Sequence, residues 1–244
     1  MIYAFPPVAA VSTMWTEIAP IRVSRSAVDG RRYVSSAGPR RRKAMVMVSA
    51  LSRARDGAGY SESLKRFLDG GMNLVRLNSP ATNWHLDAKP YFTAPLAWTS
   101  GGDPLEWTHD GQPLYWFTGP VLQGTSGTVG GYPATTITGL TPGALVCRAY
   151  DVIRVYSADG STTATARAIT TVYADASGEA VIRLHDALAS GVISIGDQES
   201  AVFEVDGPMP ESPQPLGANW FYEWRFREVL AAEYGDATEV NPWT

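Results

Sequence analysis

The side chains that could bind a metal or carry out catalysis are few and widely separated in this sequence. The three histidines, His85, His109 and His185, form no HExxH or HxH pattern. Cys147 is the only cysteine, so the chain can form neither an internal disulfide nor a thiolate metal site, and we expect a buried thiol. We therefore predict no zinc or iron centre and no cofactor.

A pair of carboxylates beside aromatic side chains could cleave a glycosidic bond. Asp103 and Glu106 are the acids next to a tryptophan repeat, but their separation in space cannot be read from the sequence. The segment 124–131, GTSGTVGG, lacks the GK[ST] ending of a phosphate-binding loop and the G-x-S-x-G of a nucleophile elbow. We predict that the protein is not an enzyme, and cell-wall hydrolysis by the acid pair is an alternative.

The tryptophan repeat has a period of nine residues, with a Pro-Leu-x-Trp motif at 95–98, 104–107 and 113–116. In an extended backbone the Leu and Trp of each motif lie on the same face, so three short strands would present both residue types together. Such rows pack a core or a subunit contact, and a sugar-stacking platform is the alternative. The tryptophans of the repeat are Trp98, Trp107 and Trp116.

Positive charge is concentrated near the N-terminus, although the formal net charge of the chain is -4. Eight of the 20 Lys and Arg residues lie between Arg22 and Lys43, where Asp29 is the only acid. An acidic chain does not favour sequence-specific nucleic-acid binding, and charge pairing between subunits explains the asymmetry. The densest part, which we call the basic cluster, comprises Arg31, Arg32, Arg40, Arg41, Arg42 and Lys43. We predict that it contributes to a subunit interface, and a solvated loop or a DNA contact are the alternatives.

The elements around the basic cluster follow from turn residues and apolar spacing. The Asp29-Gly30 turn predicts a hairpin between two strands, and an apolar run predicts a strand after the basic cluster. Ser61 as a capping hydroxyl, apolar residues spaced by three and four, and glycines at the exit predict a short helix. The predicted strands are 21–24, 32–35, 44–48 and 74–77, and the helix is 61–70.

The order of these elements between Ser24 and Arg76 resembles the N-terminal region of the distal tail proteins of long-tailed, siphovirus-like bacteriophages and related gene transfer particles. The resemblance rests on SRS, the DG turn, the polybasic turn, the apolar strand, the LKRFLDGG helix and the VRL strand. It implies a structural virion protein that forms a six-fold ring around a channel wide enough for DNA. The implied partners are copies of itself, the tail tube protein and the hub or tail-tip proteins.

The resemblance also implies a location at the tail tip or baseplate of a virion that is assembled in the host cytoplasm. The N-terminus lacks a basic n-region and is broken by Pro6-Pro7, and no apolar run is long enough for a membrane helix, so we expect no membrane insertion. The main alternative function is a carbohydrate or receptor-binding module of a tail tip that grips a host-surface glycan.

The predicted fold class is mainly β, with an N-terminal β-sandwich or barrel-like ring domain that has one short α-helix, and a second all-β domain that is a small barrel or sandwich. The alternation of aromatic and charged residues over 219–229 predicts a strand that returns to the first domain. The predicted boundaries are 1–118 with 216–244 for the ring domain, 119–139 for a Gly/Thr-rich linker, 140–207 for the inserted domain and 208–215 for a proline-rich connector.

Overall fold

The structure is a computed structural model that describes residues 1–79, 91, 93–96, 98–100, 103–105, 107–114, 116–157, 163–196, 198–215 and 218–243. It divides into a first unit, Met1–Ser79 with Ser200–Thr244, and a second unit, Pro80–Glu199. With 47% strand and 11% helix, the chain has the mainly-β fold with few helices that the sequence predicts.

The elements before residue 80 are β1 (Ile2–Ala4), β2 (Ala10–Ile18), β3 (Ile21–Arg25), β4 (Arg32–Ser36), β5 (Arg41–Ser49), α1 (Ser52–Arg55), α2 (Gly57–Leu68), a 3-10 turn (Asp69–Gly71) and β6 (Leu74–Asn78). The middle of the chain contains β7 (Ala94–Pro95), β8 (Thr99–Ser100), β9 (Asp103–Pro104), β10 (Trp107–His109), β11 (Gln112–Leu114), β12 (Phe117–Thr118), β13 (Leu122–Val129), β14 (Tyr132–Ile137), β15 (Leu145–Cys147), β16 (Val152–Tyr156), β17 (Thr163–Arg167), β18 (Val172–Tyr173), β19 (Ala180–Arg183) and β20 (Gly191–Ile195). The remaining elements are β21 (Ser200–Val205), β22 (Phe221–Glu228), α3 (Ala231–Tyr234) and β23 (Glu239–Val240).

The first unit is built on one seven-stranded sheet in the order β2-β5-β22-β21-β6-β1-β23. From β2 through β5, β22 and β21 to β6, each strand is antiparallel to the next. Strands β6, β1 and β23 are parallel to one another. Strand β22 pairs with β5 over seven residues, so the chain end returns to the N-terminal sheet as its alternating pattern predicts. Every second residue of β22 is buried, because those side chains face the core and the others face solvent.

This sheet curls strongly. Strands β2 and β21 are three positions apart in the sheet, which in a flat sheet would separate them by roughly 14 Å. The rings of Trp15 on β2 and Phe203 on β21 nevertheless lie 5.0 Å apart, edge to face. The concave side therefore encloses an aromatic core that also contains the fully buried Trp224 and Phe226.

Helix α2 packs on the same core through Leu64 and Leu68, which are both fully buried. The helix begins at Gly57, four residues before the predicted start, so the predicted capping role of Ser61 is wrong. Ser61 lies inside the helix and is buried. The predicted end is close to the observed one, because Asp69 adopts a left-handed conformation and the following glycines terminate the helix.

The second unit contains a six-stranded antiparallel sheet in the order β17-β16-β20-β13-β14-β19. A bridge between Ala168 and Leu184, with backbone hydrogen bonds on either side of it, joins the two ends of this sheet. The strands therefore close into a small barrel, which leaves no free edge among them. Its interior is filled by aliphatic side chains such as Ile137, Ile153, Ile182 and Ile193, which are all fully buried.

The predicted linker at 119–139 is wrong, because β13 and β14 form a hairpin inside this barrel. Close packing between strands explains a glycine in this segment. A Cβ at Gly124 would lie 2.1 Å from the side chain of Ile193 on the neighbouring strand, so only glycine fits there. The neighbouring threonines suit a pleated sheet, because they are β-branched.

Two other boundaries differ from the prediction. Residues 94–118 belong to the second unit rather than to the N-terminal domain, where they form three small strand pairs. Strand β21, which was expected in the inserted domain, pairs with β6 and β22 in the first unit. The proline-rich segment 208–215 accordingly lies within the first unit and does not connect two domains.

Candidate assembly surface

Strands β3 and β4 form a two-stranded ribbon that we call the arm, residues 21–36. It continues the β2–β5 hairpin beyond Pro20 and Pro39, and the N–H of Ala37 donates to the carbonyl of Pro20 over 2.7 Å at its base. The arm has five cross-strand pairs, so it is roughly 17 Å long. All ten residues of its two strands are exposed, and neither strand pairs with any further strand among the described residues.

The tip of the arm is held by local hydrogen bonds. The hydroxyl of Ser26 accepts from the N–H groups of Val28 and Asp29, and the Asp29 carboxylate accepts from the N–H of Arg31. A side-chain hydrogen bond from Ser26 to the Asp29 carboxylate first, and then the hydrogen bond from the Arg31 N–H, hold the pKa of Asp29 below its ordinary value. Since the turn is fixed locally, the arm presents its strands in a defined shape without support from the core.

Next to the arm, β2 forms one edge of the seven-stranded sheet. It is nine residues long, and only Trp15 turns part of its side chain inward. Val11, Met14 and Ile18 are 59%, 49% and 40% exposed. A long edge strand with exposed apolar side chains offers free backbone groups and apolar area to another chain. Sequence reasoning missed β2, because residues 1–19 show no regular alternation and contain Pro6-Pro7.

The basic cluster divides into two groups. Arg31 and Arg32 lie on the arm, and Arg40 lies between the arm and β5; all three are exposed. Arg31 pairs with Asp29 of the same turn at 3.2 Å. A subunit contact through these three residues stays a prediction.

The other three members of the basic cluster lie at the start of β5 and are paired within the chain. Arg41 makes a two-pronged ion pair with Glu233, with N–O distances of 2.5 and 2.6 Å, and donates to the carbonyl of Glu228 over 3.1 Å. The hydrogen bond from Arg41 lowers the pKa of Glu233 to about 2, and the same contact raises the pKa of Arg41. Arg41 therefore ties the base of the arm to the C-terminal segment.

Arg42 and Lys43 extend this internal pairing. The Arg42 guanidinium donates to Oε1 of Glu228 over 2.8 Å, and the Arg42 backbone N–H donates to Oε2 of the same side chain over 2.7 Å. Lys43 donates to Asp206 over 2.6 Å. These acids are more than 160 positions away in sequence, so nothing local in the sequence reveals the pairing.

The tryptophans of the repeat lie on the surface of the second unit. Trp98, Trp107 and Trp116 are 48%, 51% and 50% exposed, which excludes the core packing that the repeat allowed. Trp107 is directly opposite Leu114 in a hairpin, and its ring lies 6.3 Å from that of Trp98. The repeat therefore forms an exposed apolar patch, which leaves a subunit contact or a ligand platform as its interpretation.

No protein-family model matches the chain. No curated protein matches it either. Its chemistry must therefore be argued from the geometry of its own side chains.

That geometry contains no group of metal-ligating side chains within the described residues. His109 is exposed beside Asp110. The ring of His185 lies edge to face with the ring of Tyr150, with 6.2 Å between the centroids. His85 lies outside the described residues. Glu106 also lies outside them, and of Asp103 only the backbone is described, so the predicted acid pair stays a prediction.

Burial raises the pKa of the Cys147 thiol to about 12, with a smaller contribution from Asp151. No described helix has the length and apolar character to span a membrane.

Proposed function

We propose that the protein is a structural subunit that assembles with copies of itself into a ring of a bacteriophage tail, between the tail tube and the hub at the tail tip. The observation that carries this proposal is the arm, whose ten strand residues are all exposed. An isolated two-stranded ribbon is marginally stable in water. A chain that builds such a ribbon onto a well-packed sheet gains from it when a partner covers it.

The neighbouring edge strand β2 supports the same function. The arm and the edge strand belong to the same long hairpin, and all of their strand residues except Trp15 are exposed. A ring requires that each copy contact its neighbours through two different faces, and a projecting arm suits such a head-to-tail contact. The resemblance of residues 24–76 to distal tail proteins supplies the viral context and the expected six-fold symmetry.

The test is the mass of the purified protein in solution, measured by mass photometry over a range of concentrations. We expect discrete oligomers, with six copies as the largest closed species. The matched variant replaces residues 21–36 by Asn-Gly, which forms a tight two-residue turn between the hydrogen-bonded Pro20 and Ala37. This variant should be monomeric with an unchanged melting temperature, and a wild-type protein that stays monomeric at every concentration would refute the proposal.

A second candidate function, binding of a host-surface glycan, is favoured by the exposed tryptophan patch. Aromatic rings stack on sugar faces, and two of the tryptophans are adjacent. Glycan-array binding that is lost in Trp107→Ala and kept in Tyr132→Ala, a similarly exposed aromatic position of the same unit, would support it. If neither the wild type nor the Tyr132→Ala variant binds the array while self-association is intact, the tryptophan patch is a protein contact.

A further inference from the structure

The arm has two chemically different faces. Residues directly opposite each other in its register share a face, so Ile21, Val23 and Val34 form an apolar strip on one side. These three side chains are 56%, 49% and 52% exposed. Arg25 and Arg32, which pair directly across the ribbon near its tip, extend the same face.

The pairing of Arg25 with Arg32 is unfavourable in the isolated arm. Like charges placed directly opposite each other on neighbouring strands repel. Asp29 is the only acid of the arm, and it is engaged with Arg31 and the turn. The arm therefore calls for a partner that combines apolar area with carboxylates at one end.

A surface of that kind exists on the solvent side of the sheet in the first unit. The segment 206–211 lines a groove of 780 Å³ together with Met47 of β5 and the exposed residues Phe221, Glu223 and Arg225 of β22. Methionines and an aromatic ring form its apolar part, and acids outnumber bases among its residues. Its lining comprises Met47, Asp206, Gly207, Pro208, Met209, Pro210, Glu211, Phe221, Glu223 and Arg225.

Two of these acids can accept a new partner. Glu211 is exposed and has no ion pair among the described residues. Glu223 is paired with Arg225 at 2.7 Å, but its side chain is 40% exposed, so part of the carboxylate remains open to solvent. Asp206 is already held by Lys43. The apolar part includes Phe221, which is 44% exposed, and methionine, whose flexible side chain adapts to different partners.

We propose that the arm of one copy docks with its apolar face in this groove of the next copy, so that Arg25 and Arg32 meet the carboxylates of Glu211 and Glu223. The inference rests on the proposed self-assembly and names the two surfaces that meet. No arm residue lines the groove of its own chain, and the arm is exposed there, so the occupant is a second copy. Two different surfaces in contact give a head-to-tail interface, which is the kind that a ring requires.

Charge reversal tests the contact. We expect Arg25→Glu with Arg32→Glu to weaken self-association about a hundredfold, because removing one side of a close charge pair leaves the other side unpaired. Glu211→Lys with Glu223→Lys should have a similar effect through the other surface. Arg22→Glu, on the opposite face of the arm, is the matched control and should change self-association little. All these positions are exposed, so the melting temperature of the monomer should not change.

Mixing the two reversed proteins separates a head-to-tail contact from other arrangements. The arm-reversed protein keeps a normal groove, and the groove-reversed protein keeps a normal arm. Neither protein should assemble alone, but together they should form oligomers larger than a dimer in which the two proteins alternate, detectable by native mass spectrometry. A normal arm meets a normal groove at one contact, and exchanged charges meet at the next, whereas a reciprocal contact would stop at a dimer. A single chain that carries both reversals should recover higher oligomers, because the interfacial charges are exchanged.

A cross-link locates the contact directly. Cys147 is buried and its thiol pKa is raised to about 12, so it gives little background reaction. In Val23→Cys with Met47→Cys, a short bis-maleimide should join separate copies into a ladder of covalent oligomers. Val23→Cys with Tyr132→Cys, an exposed position of the second unit, is the control pair and should give no ladder.

The outcomes separate this inference from the proposed function. A wild-type protein that never oligomerises overturns both. Oligomers that survive both charge reversals overturn the docking of the arm and leave the ring intact. Loss of assembly in the arm variant alone, with the groove variant unaffected, places the arm on another surface and also overturns the inference. Unchanged assembly with lost binding to duplex DNA in the arm variant would assign the arm to nucleic acid.

Discussion

Two hairpins of this chain have opposite environments. The β13–β14 hairpin is flanked by β20 and β19 and contributes the fully buried Ile137 to a closed barrel. Within the described part of the chain, the arm pairs with no further strand, and its ten strand residues are all exposed. A hairpin becomes part of a core when both its edges and one of its faces are covered. None of the described residues covers an edge or a face of the arm, which is why we expect a partner for it and not for β13–β14.

The largest expected difference comes from deleting side-chain volume in each hairpin. Ile137→Ala should reduce the free energy of unfolding of the second unit by about 2–5 kcal/mol, because it leaves a cavity in the barrel. Val34→Ala in the arm should change the free energy of unfolding by less than about 0.5 kcal/mol, because Val34 is 52% exposed. Chemical denaturation of the monomer measures both values.

An equal cost for the two changes would contradict the comparison. It would mean that the arm contributes to the core of its own chain. The effects on self-association should be reversed. Val34→Ala should weaken self-association, because Val34 belongs to the docking face, and Ile137→Ala should not, because Ile137 lies in the barrel.

A smaller effect is expected from adding one methyl group within β13. A Cβ at Gly124 would lie 2.1 Å from Cδ1 and 2.6 Å from Cγ1 of Ile193, so Gly124→Ala should cost about 1–3 kcal/mol through overpacking. Gly127 is in the same strand with open space around its Cβ position, so Gly127→Ala is the matched control. We expect thermal denaturation to show a clear loss for the first variant and almost none for the second.

The sequence predicts the features that depend on neighbouring residues. The Asp29-Gly30 turn, the helix around Leu64 and the alternating β22 all follow from local patterns, and so does the mainly-β class. The hairpin β13–β14 was mistaken for a linker because its glycines serve a close strand contact and a tight turn, which only the folded neighbours reveal. The same holds for the exposed state of Trp107.

Much of the candidate site depends on partners that are distant in sequence. The pairing of Arg42 with Glu228 spans 186 positions, and the groove combines Met47 with a segment near residue 210. Neither the ion pair nor the groove leaves a local pattern in the sequence. The arm itself was predictable as a hairpin, but its exposure was not, because exposure depends on which strands are absent beside it.

The turn glycines offer a closely matched pair of substitutions. Gly30 and Gly130 have φ angles of +67° and +62°, and both have open space at the Cβ position. An alanine is strained by about 1 kcal/mol in this conformation. Gly130→Ala should therefore lower the free energy of unfolding of the barrel by that amount. Gly30→Ala should leave the free energy of unfolding unchanged and speed only the hydrogen exchange of arm amides.

In the assembled protein this pair should behave differently. If the arm is covered by a neighbouring copy, its amides become protected and Gly30→Ala weakens self-association. Hydrogen exchange by mass spectrometry on monomer and oligomer compares the two states. Equal exchange of the arm in both states would show that assembly leaves the arm uncovered.

The smallest expected effect concerns the ion pair at the base of the arm, where Arg41 is opposite Ile18 at the end of the β2–β5 pairing. The pKa of Glu233 is lowered to about 2 from its ordinary value of 4.5, first by the hydrogen bond from Arg41. A carboxyl group whose pKa is lowered by folding stabilises the fold above its ordinary pKa, and this contribution is lost as the pH falls toward the folded value. The window is therefore between pH 4.5 and about 2.

Glu233→Gln removes the charge and keeps an oxygen that can accept from the N–H of Leu230. We expect the melting temperature of the variant to fall less than that of the wild type between about pH 6 and about pH 3, because the variant has no carboxylate to titrate at this site. Asp236→Asn is the control, since Asp236 is an exposed acid with no ion pair in the described part of the chain. Parallel pH profiles for wild type and Glu233→Gln would show that the pair does not stabilise the fold. The base of the arm would then be held by the strand pairing of β2 with β5 and by the Arg42–Glu228 contact, and the arm could move independently of the C-terminal segment.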